Sequence, residues 1–376
     1  MSKFNADNER IKHRYLGFLS GAKHRSVDSV DQVAAALADF EASTGHKDFR
    51  LFRIEQAQRY KRELGKATNS RTGKPLAKAT LFSRLAALKT FFEWLAQEPG
   101  FRSKLNYSDA EYFNLSANEE RIAKTVRERP APSIKQIQHA ISLMPYETDI
   151  EKRDRALVAF TLVSGARDDA IASLSLKHVD ASQRRVHQDA REVRTKNAKT
   201  INGTFFPVGD VFEKIVVEWI EFLQKERVWG PDDPLFPRTK VTLGKSGYFE
   251  NSGLDRKHWK DAGAIRKIFR QAFDRAGLPY FHPHSFRQTV AVLGEKICRT
   301  PEEWKAYSQN FGHSSPMTTF NSYGSVAPHR QAEILNGLAD LKAIEPNAPA
   351  QTVKLDDDQM RLILNQLAKA KVEESA

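Results

Sequence analysis

Apolar residues recur every three or four positions through most of the first third of the chain. In "LFSRLAALKTFFEWLAQ" they fall at Leu81, Leu85, Leu88, Phe91, Phe92 and Leu95, one continuous helical face. "SVDQVAAALADFEAS" repeats the spacing at Val33, Leu37 and Phe40. It opens on Ser29 with Gln32 three residues later, a pattern that predicts a capped helix start. "FRIEQAQRYKREL" predicts a further helix, and the basic stretch "GKATNSRTGKPLAKAT" after it reads as a loop. The residues before about Val27 are either a separate small module or part of this bundle, and their single amphipathic helix, with no β-like pattern, favours the bundle.

The pattern changes at "NEERIAKTVRERPAPS", a charged run ending in Pro130 and Pro132 that reads as a linker. Ser133, with Gln136 three residues on, predicts the cap of a new helix. Beyond it the signal is mixed. "RDRALVAFTLVSGAR" is apolar enough for a buried helix ending near Gly165. "RRVHQDAREVRTKNAKTINGTFFPVGD" alternates and breaks like a short antiparallel meander, with Asn202-Gly203 as one turn signal. Helical spacing resumes in "VFEKIVVEWIEFLQKE", a block that "DPLFPRTK" closes. The tail "LDDDQMRLILNQLAKAKVEE" has an acidic start, a basic end and an apolar strip at Leu362, Ile363 and Leu367. It needs something to pack against.

The domain expectation is therefore residues 1–117 as a helical domain, 118–132 as a basic linker, 133–343 as a mixed α/β domain, and 344–376 as a tail with a helix. A hydrophobic fraction of 40% supports folding of both domains rather than disorder. Lys and Arg number 59 against 47 acids, and the resulting charge of +12 points to a polyanionic partner, nucleic acid first. The single cysteine, Cys298, excludes an intramolecular disulfide and a Cys-rich zinc site. No signal-like run or membrane-length apolar window occurs, so a soluble, cytoplasmic protein is expected.

The candidate chemistry lies in five segments: "SGARDDAIASLSL", "REVRTKNAKT", "HPHSFRQTV", "NFGHSS" and "NSYGS". Singly, each has a bland reading. Arg167 could be a surface or cap residue, Lys196 a solvated hairpin lysine, and His313 a turn histidine. His284 and Arg287 lie one helical turn apart and so can face one point. Together, two arginines, a lysine, two histidines and a tyrosine suit phosphoryl transfer. Arginine forks match non-bridging phosphate oxygens and would bind the more charged pentacoordinate state preferentially. Tyr323, with an ordinary phenol pKa of about 10, needs a base or electrostatic help to attack. A covalent phosphotyrosine would store the diester, so strands could be rejoined without ATP.

These motifs, in this order, resemble the tyrosine recombinase (phage integrase) family over nearly the whole chain. "SGAR" is similar to that family's Thr-Gly-x-Arg box, "PLFP" to its strand before the late helices, and "HSFRQT" to its His-x-x-Arg box. "FGHSSPMTT" is similar to its Leu-Gly-His-Ser segment, and "NSYG" supplies the nucleophile. The resemblance implies a multidomain fold of α plus mixed α/β class. An N-terminal helical, SAM-like core-binding domain would clamp DNA, and a C-terminal catalytic domain would carry a small antiparallel sheet. It implies a site-specific integrase that uses neither metal nor cofactor. Arg167 and Arg287 would hold the scissile phosphate, Lys196 would be the general acid, and His284 would assist proton transfer as base. His313 would hydrogen-bond the phosphate, and Tyr323 would form a 3′-phosphotyrosyl bond. Double-stranded DNA is the implied partner, with self-association into a tetramer on recombination sites and the tail as a candidate for docking in trans. The enzyme would then be nucleoid-associated when bound.

Three departures stand out: Gln288 after Arg287, Ala170 where the first box usually has an acid, and one extra residue between His313 and Tyr323. Lys199 competes with Lys196 for the acid role, and His282 reads as a loop residue. A type IB topoisomerase would share the chemistry. A catalytically silent DNA-binding regulator would be expected to lack one of these groups. The pair Asp168-Asp169 reads as acids at a helix start rather than as metal ligands of a nuclease.

Overall fold

In the computed structural model the structure describes residues 4–69, 72–125, 130–244 and 247–313. The chain divides into two compact units, Met1–Arg127 and Glu128–Ala376. Calls on Tyr323 and on the C-terminal helix fall outside the described residues.

The first unit is helical. Its helices are α1 (Ala6–Gly21), α2 (Val27–Ser43), α3 (Ile54–Lys66), α4 (Lys78–Leu95) and α5 (Ala117–Lys124). The α4 face at Leu81, Leu85, Leu88, Phe91, Phe92 and Leu95 is buried, as its spacing requires. Aromatic rings fill the core between helices. Phe92 lies 4.2 Å from Phe52 and 5.3 Å from Phe113, centroid to centroid. The N-terminal helix α1 belongs to this core. Tyr15 packs 5.1 Å from Phe91, and Asn8 donates to the buried Glu41 of α2 at 2.9 Å. Lys12 bonds the same Glu41 at 2.5 Å; burial opposes its charge, but Glu41 and Glu9 hold its pKa above the ordinary lysine value.

Two expectations here need correction. The cap of α2 is Ser26, one turn before Ser29, because its extended backbone lets its hydroxyl accept from the Ser29 amide. The segment expected as linker is helical over Ala117–Lys124. Ser116 caps it, Glu119 and Glu120 occupy its first turn and Arg121 and Lys124 its last, so the charges that suggested a linker complement a helix dipole.

The second unit is built around α7. Its elements are α6 (Ile134–Ser142), α7 (Asp149–Ser164), α8 (Asp168–Ile171), β1 (Val179–Asp180), β2 (Arg185–Gln188), β3 (Ile201–Thr204) and α9 (Asp210–Glu221). Then come β4 (Arg238–Leu243), β5 (Phe249–Asp255), α10 (Gly263–Arg275), α11 (Pro283–Ile297) and α12 (Pro301–Asn310). Ser133 and Gln136 form a reciprocal capping box on α6. Every residue of α7 from Ala156 to Ser164 is buried, and the helix stops at Gly165 in the left-handed conformation. The antiparallel sheet runs in the order β1-β2-β3, and β4-β5 is a separate hairpin.

Asn202 and Gly203 do not form a turn. They sit inside β3, opposite His187 and Val186, and the reversal is the longer segment 189–200. The "PLFP" stretch is not a strand either. Pro234 makes an isolated bridge to Ser175 while Leu235 and Phe236 are buried, and the flanking prolines restrict any ladder; the strand starts at Arg238. The β4-β5 hairpin has no counterpart among the sequence expectations. Its arms are largely exposed on both faces, which removes the alternation that marks a strand.

Candidate active site

Gly165 is where the site begins. Its φ is +58°, and a Cβ there would lie 2.9 Å from Phe206 and 3.2 Å from Phe311, so both backbone and space demand glycine. The chain leaves α7 at this residue, and two residues later Arg167 starts α8 from an extended backbone position. Arg287 comes from α11, where it is 2% exposed, an extreme burial for a guanidinium. The burial is compensated. One terminal nitrogen donates to the Gly165 carbonyl, and the other donates to the Phe311 carbonyl at 3.0 Å. Phe311 also lies under the guanidinium at 4.8 Å. His313 Nε2 is 3.3 Å from the same nitrogen that bonds Phe311.

Thus three segments far apart in sequence meet at Arg287: the end of α7, the first turns of α11, and the turn after α12. His284 stands one turn before Arg287 and stacks on His282 at 6.1 Å between centroids. His282, expected as a loop residue, lies just before α11 as its N-cap. Desolvation, then Arg287, His282 and Arg167, push His284 down to about 4. Desolvation followed by Arg287, Arg167 and Lys199 pushes His313 down to about 4 as well. Both rings are therefore neutral at pH 7 and able to accept a proton.

The lysine segment joins this centre from the β2-β3 connection. Lys196 is exposed, in a short turn where Asn197 and Ala198 take φ of +60° and +48°. Lys199 instead donates to the Gly312 carbonyl at 2.7 Å, next to His313. At the start of the same segment, Arg194 bonds Asp169 at 3.0 Å and its amide donates to Ser173 Oγ at 2.9 Å, tying it to the α8 region. Asp168 pairs with Arg266 at 2.9 Å, so both acids are engaged in ion pairs, and no cluster among the described residues could hold a metal ion. Ala170, in place of an acid, is buried against the core.

The structure thus brings Arg167, His284, Arg287 and His313 into one electrostatic neighbourhood. It ties Lys199 to it and leaves Lys196 solvent-exposed on the adjoining turn. Sequence reading missed the Gly165 and Phe311 carbonyls as the seat of Arg287. A main-chain acceptor has no sequence signature, but Gly165 directly after a buried helix was a usable hint.

Residues 133–330 match the family model described as "Phage integrase family". Tyrosine recombinase XerC of Escherichia coli O127:H6 (strain E2348/69 / EPEC) is 23% identical over 311 residues, covering 81% of this chain and 88% of that protein. Among solved structures, a lambda integrase dimer bound to a COC′ core site is similar with a TM-score of 0.58 at 13% identity, covering 84% of this chain and 77% of that one. The Tn1549 transposon integrase in complex with circular intermediate DNA gives 0.54 at 14% identity, covering 86% and 98% respectively. At these identities the two structures establish a shared fold.

Proposed function

This chain belongs to the phage integrase family, and from that premise we propose how its own residues carry out the strand transfer of a site-specific tyrosine recombinase. The Tyr323 phenolic oxygen attacks a DNA phosphorus and forms a 3′-phosphotyrosyl bond. The bond from phosphorus to the 5′ oxygen breaks, and the departing alkoxide takes a proton from Lys196. The phenol proton passes to His284, which stands one helical turn from Arg287 on α11. Arg167 and Arg287 bind the non-bridging oxygens, and their charge is most effective when phosphorus is pentacoordinate. His313, beside Arg287, hydrogen-bonds the same phosphate. A 5′-hydroxyl from another strand reverses these steps and releases Tyr323, so the bond energy is conserved without ATP.

Lys196 is favoured over Lys199 as acid because the Lys199 ammonium is engaged by the Gly312 carbonyl, whereas Lys196 stands in solvent on a turn. The observation that carries the reading is the seat of Arg287. A buried cation held by Gly165 and Phe311, with His313 alongside, joins three of the expected motifs at one point.

The partner is double-stranded DNA, in keeping with a charge of +12. In our reading the unit up to residue 117 clamps the duplex, 133–343 does the chemistry, and four copies assemble on paired sites with the tail docking in trans. Among the described residues no helix is long and apolar enough to cross a membrane, and we place the enzyme with the nucleoid in the cytoplasm. The test is a covalent adduct with nicked DNA in EDTA and without ATP. Tyr323→Phe should abolish the adduct and leave DNA binding within about twofold, because a uniform binding contribution is untouched. An undiminished adduct in that variant rejects the assignment.

A further inference from the structure

The strand β3 emerges directly from the lysine turn, and it is the edge of its sheet. Asn310, the last residue of α12, closes that edge with one side chain. Its Oδ1 accepts from the Thr204 amide at 2.6 Å, and its Nδ2 donates to the Thr204 carbonyl at 2.7 Å. This is the two-bond exchange that a paired residue of an antiparallel neighbour would make. Gly203, the residue before Thr204, lies alongside the same amide, and a Cβ there would meet Asn310 Oδ1 at 3.4 Å, an ordinary contact distance.

Two further contacts join the same short segments. Lys199 donates to the Gly312 carbonyl at 2.7 Å. Ile201 fills the space that a Gly312 side chain would need, 2.5 Å from an ideal Cβ, and Gly312 has φ of +76°. Residues 199–204 are therefore clasped to residues 310–312, and the next residue is His313. Cover for a sheet edge could come from any helix or apolar side chain. A matched amide on the strand that leaves the lysine turn, at the helix end that leads into the histidine turn, does more than cover an edge.

We propose that Asn310 is a positioning residue for proton delivery. Its amide registers β3 against the His313 turn and so sets where the lysine turn stands relative to the scissile phosphate. The inference rests on the reading above that a lysine of segment 189–200 protonates the 5′ oxygen, and it predicts an effect confined to that proton.

The experiment uses the full-length enzyme and duplex oligonucleotides spanning the cleavage position mapped on DNA flanking its gene, with either oxygen or sulfur at the bridging 5′ position. A thiolate leaves without a proton donor, because a thiol has a pKa of only about 8.5. Asn310→Ala should cut the oxygen substrate about 100-fold more slowly, the usual cost of a misplaced catalytic group, and the sulfur substrate within about threefold of wild type. Asn310→Asp keeps the acceptor for the Thr204 amide and should show the same selective loss to a smaller degree; it serves if the alanine variant folds poorly. Equal losses on both substrates, or no loss on either, overturn the inference. Lys196→Ala is the reference for the underlying reading. If sulfur fails to rescue that variant, the assignment of Lys196 as acid falls, while the oxygen-to-sulfur ratio of the Asn310 variants still decides the role of Asn310.

Discussion

Arg287 sits 2% exposed, gripped by two main-chain carbonyls and backed by an aromatic ring, whereas Lys196 stands in solvent on a turn whose next two residues adopt left-handed backbone. The two residues have complementary tasks in the proposed reaction. A guanidinium that stabilises charge on phosphorus gains from being immobile and dry, since nothing then has to reorganise as charge develops. An acid that must follow a departing oxygen gains from reach and from contact with water that can reload it. The fold accordingly invests its buried contacts in the first and ties down the second by surface contacts at Arg194, Lys199 and Asn310.

Substitutions should separate the two. Arg287→Ala has the largest expected effect: adduct formation falls by about 10³-fold, the scale seen when a charge-stabilising donor is removed. The Gly165 and Phe311 carbonyls would lose their donor, so unfolding free energy should also drop by about 1–3 kcal/mol in urea titrations. Arg287→Lys should restore little, because an ammonium cannot span both carbonyls as a fork does. Lys196→Ala should reduce cleavage by about 100-fold and leave the melting temperature unchanged. A matching loss of stability there would show that the turn is structural and erase the contrast with Arg287.

A pH effect on stability is also expected. The pKa values of His284 and His313 lie at about 4 in the folded chain, against about 6.5 when unfolded. Between those values the unfolded state binds protons that the folded state refuses. The contribution is fully present above pH 6.5 and is lost as pH falls towards 4. Melting temperature measured without DNA should decline across that window, and His313→Asn should flatten the decline. Histidine resonances titrating near pH 6.5 would show that burial, and after it the nearby charges of Arg287 and Arg167, do not act as described.

Much of this was legible in the sequence because it is local. The helical face of α4, the Ser133 capping box and the stop at Gly165 each depend on a few neighbouring residues. The one-turn spacing of His284 and Arg287 sufficed to place both near a common point. What failed was signal with two meanings. Asn202-Gly203 reads as a turn, yet it lies inside β3, the strand whose Thr204 bonds Asn310, a residue more than a hundred positions away. The charges of 117–124 read as linker and act as a capped helix, and the exposed arms of β4 and β5 carry no alternation to detect.

The seat of Arg287 has an evolutionary consequence. Main-chain oxygens are supplied by every amino acid, so no replacement of the side chain at 311 deletes an acceptor. A change in chain path could take one away, whether from an insertion between α12 and the histidine turn or from a side chain at Gly165, where φ of +58° and the nearby Phe206 and Phe311 demand glycine. Point mutation at 311 can therefore alter the ring behind the guanidinium while the carbonyl that anchors it stays in place.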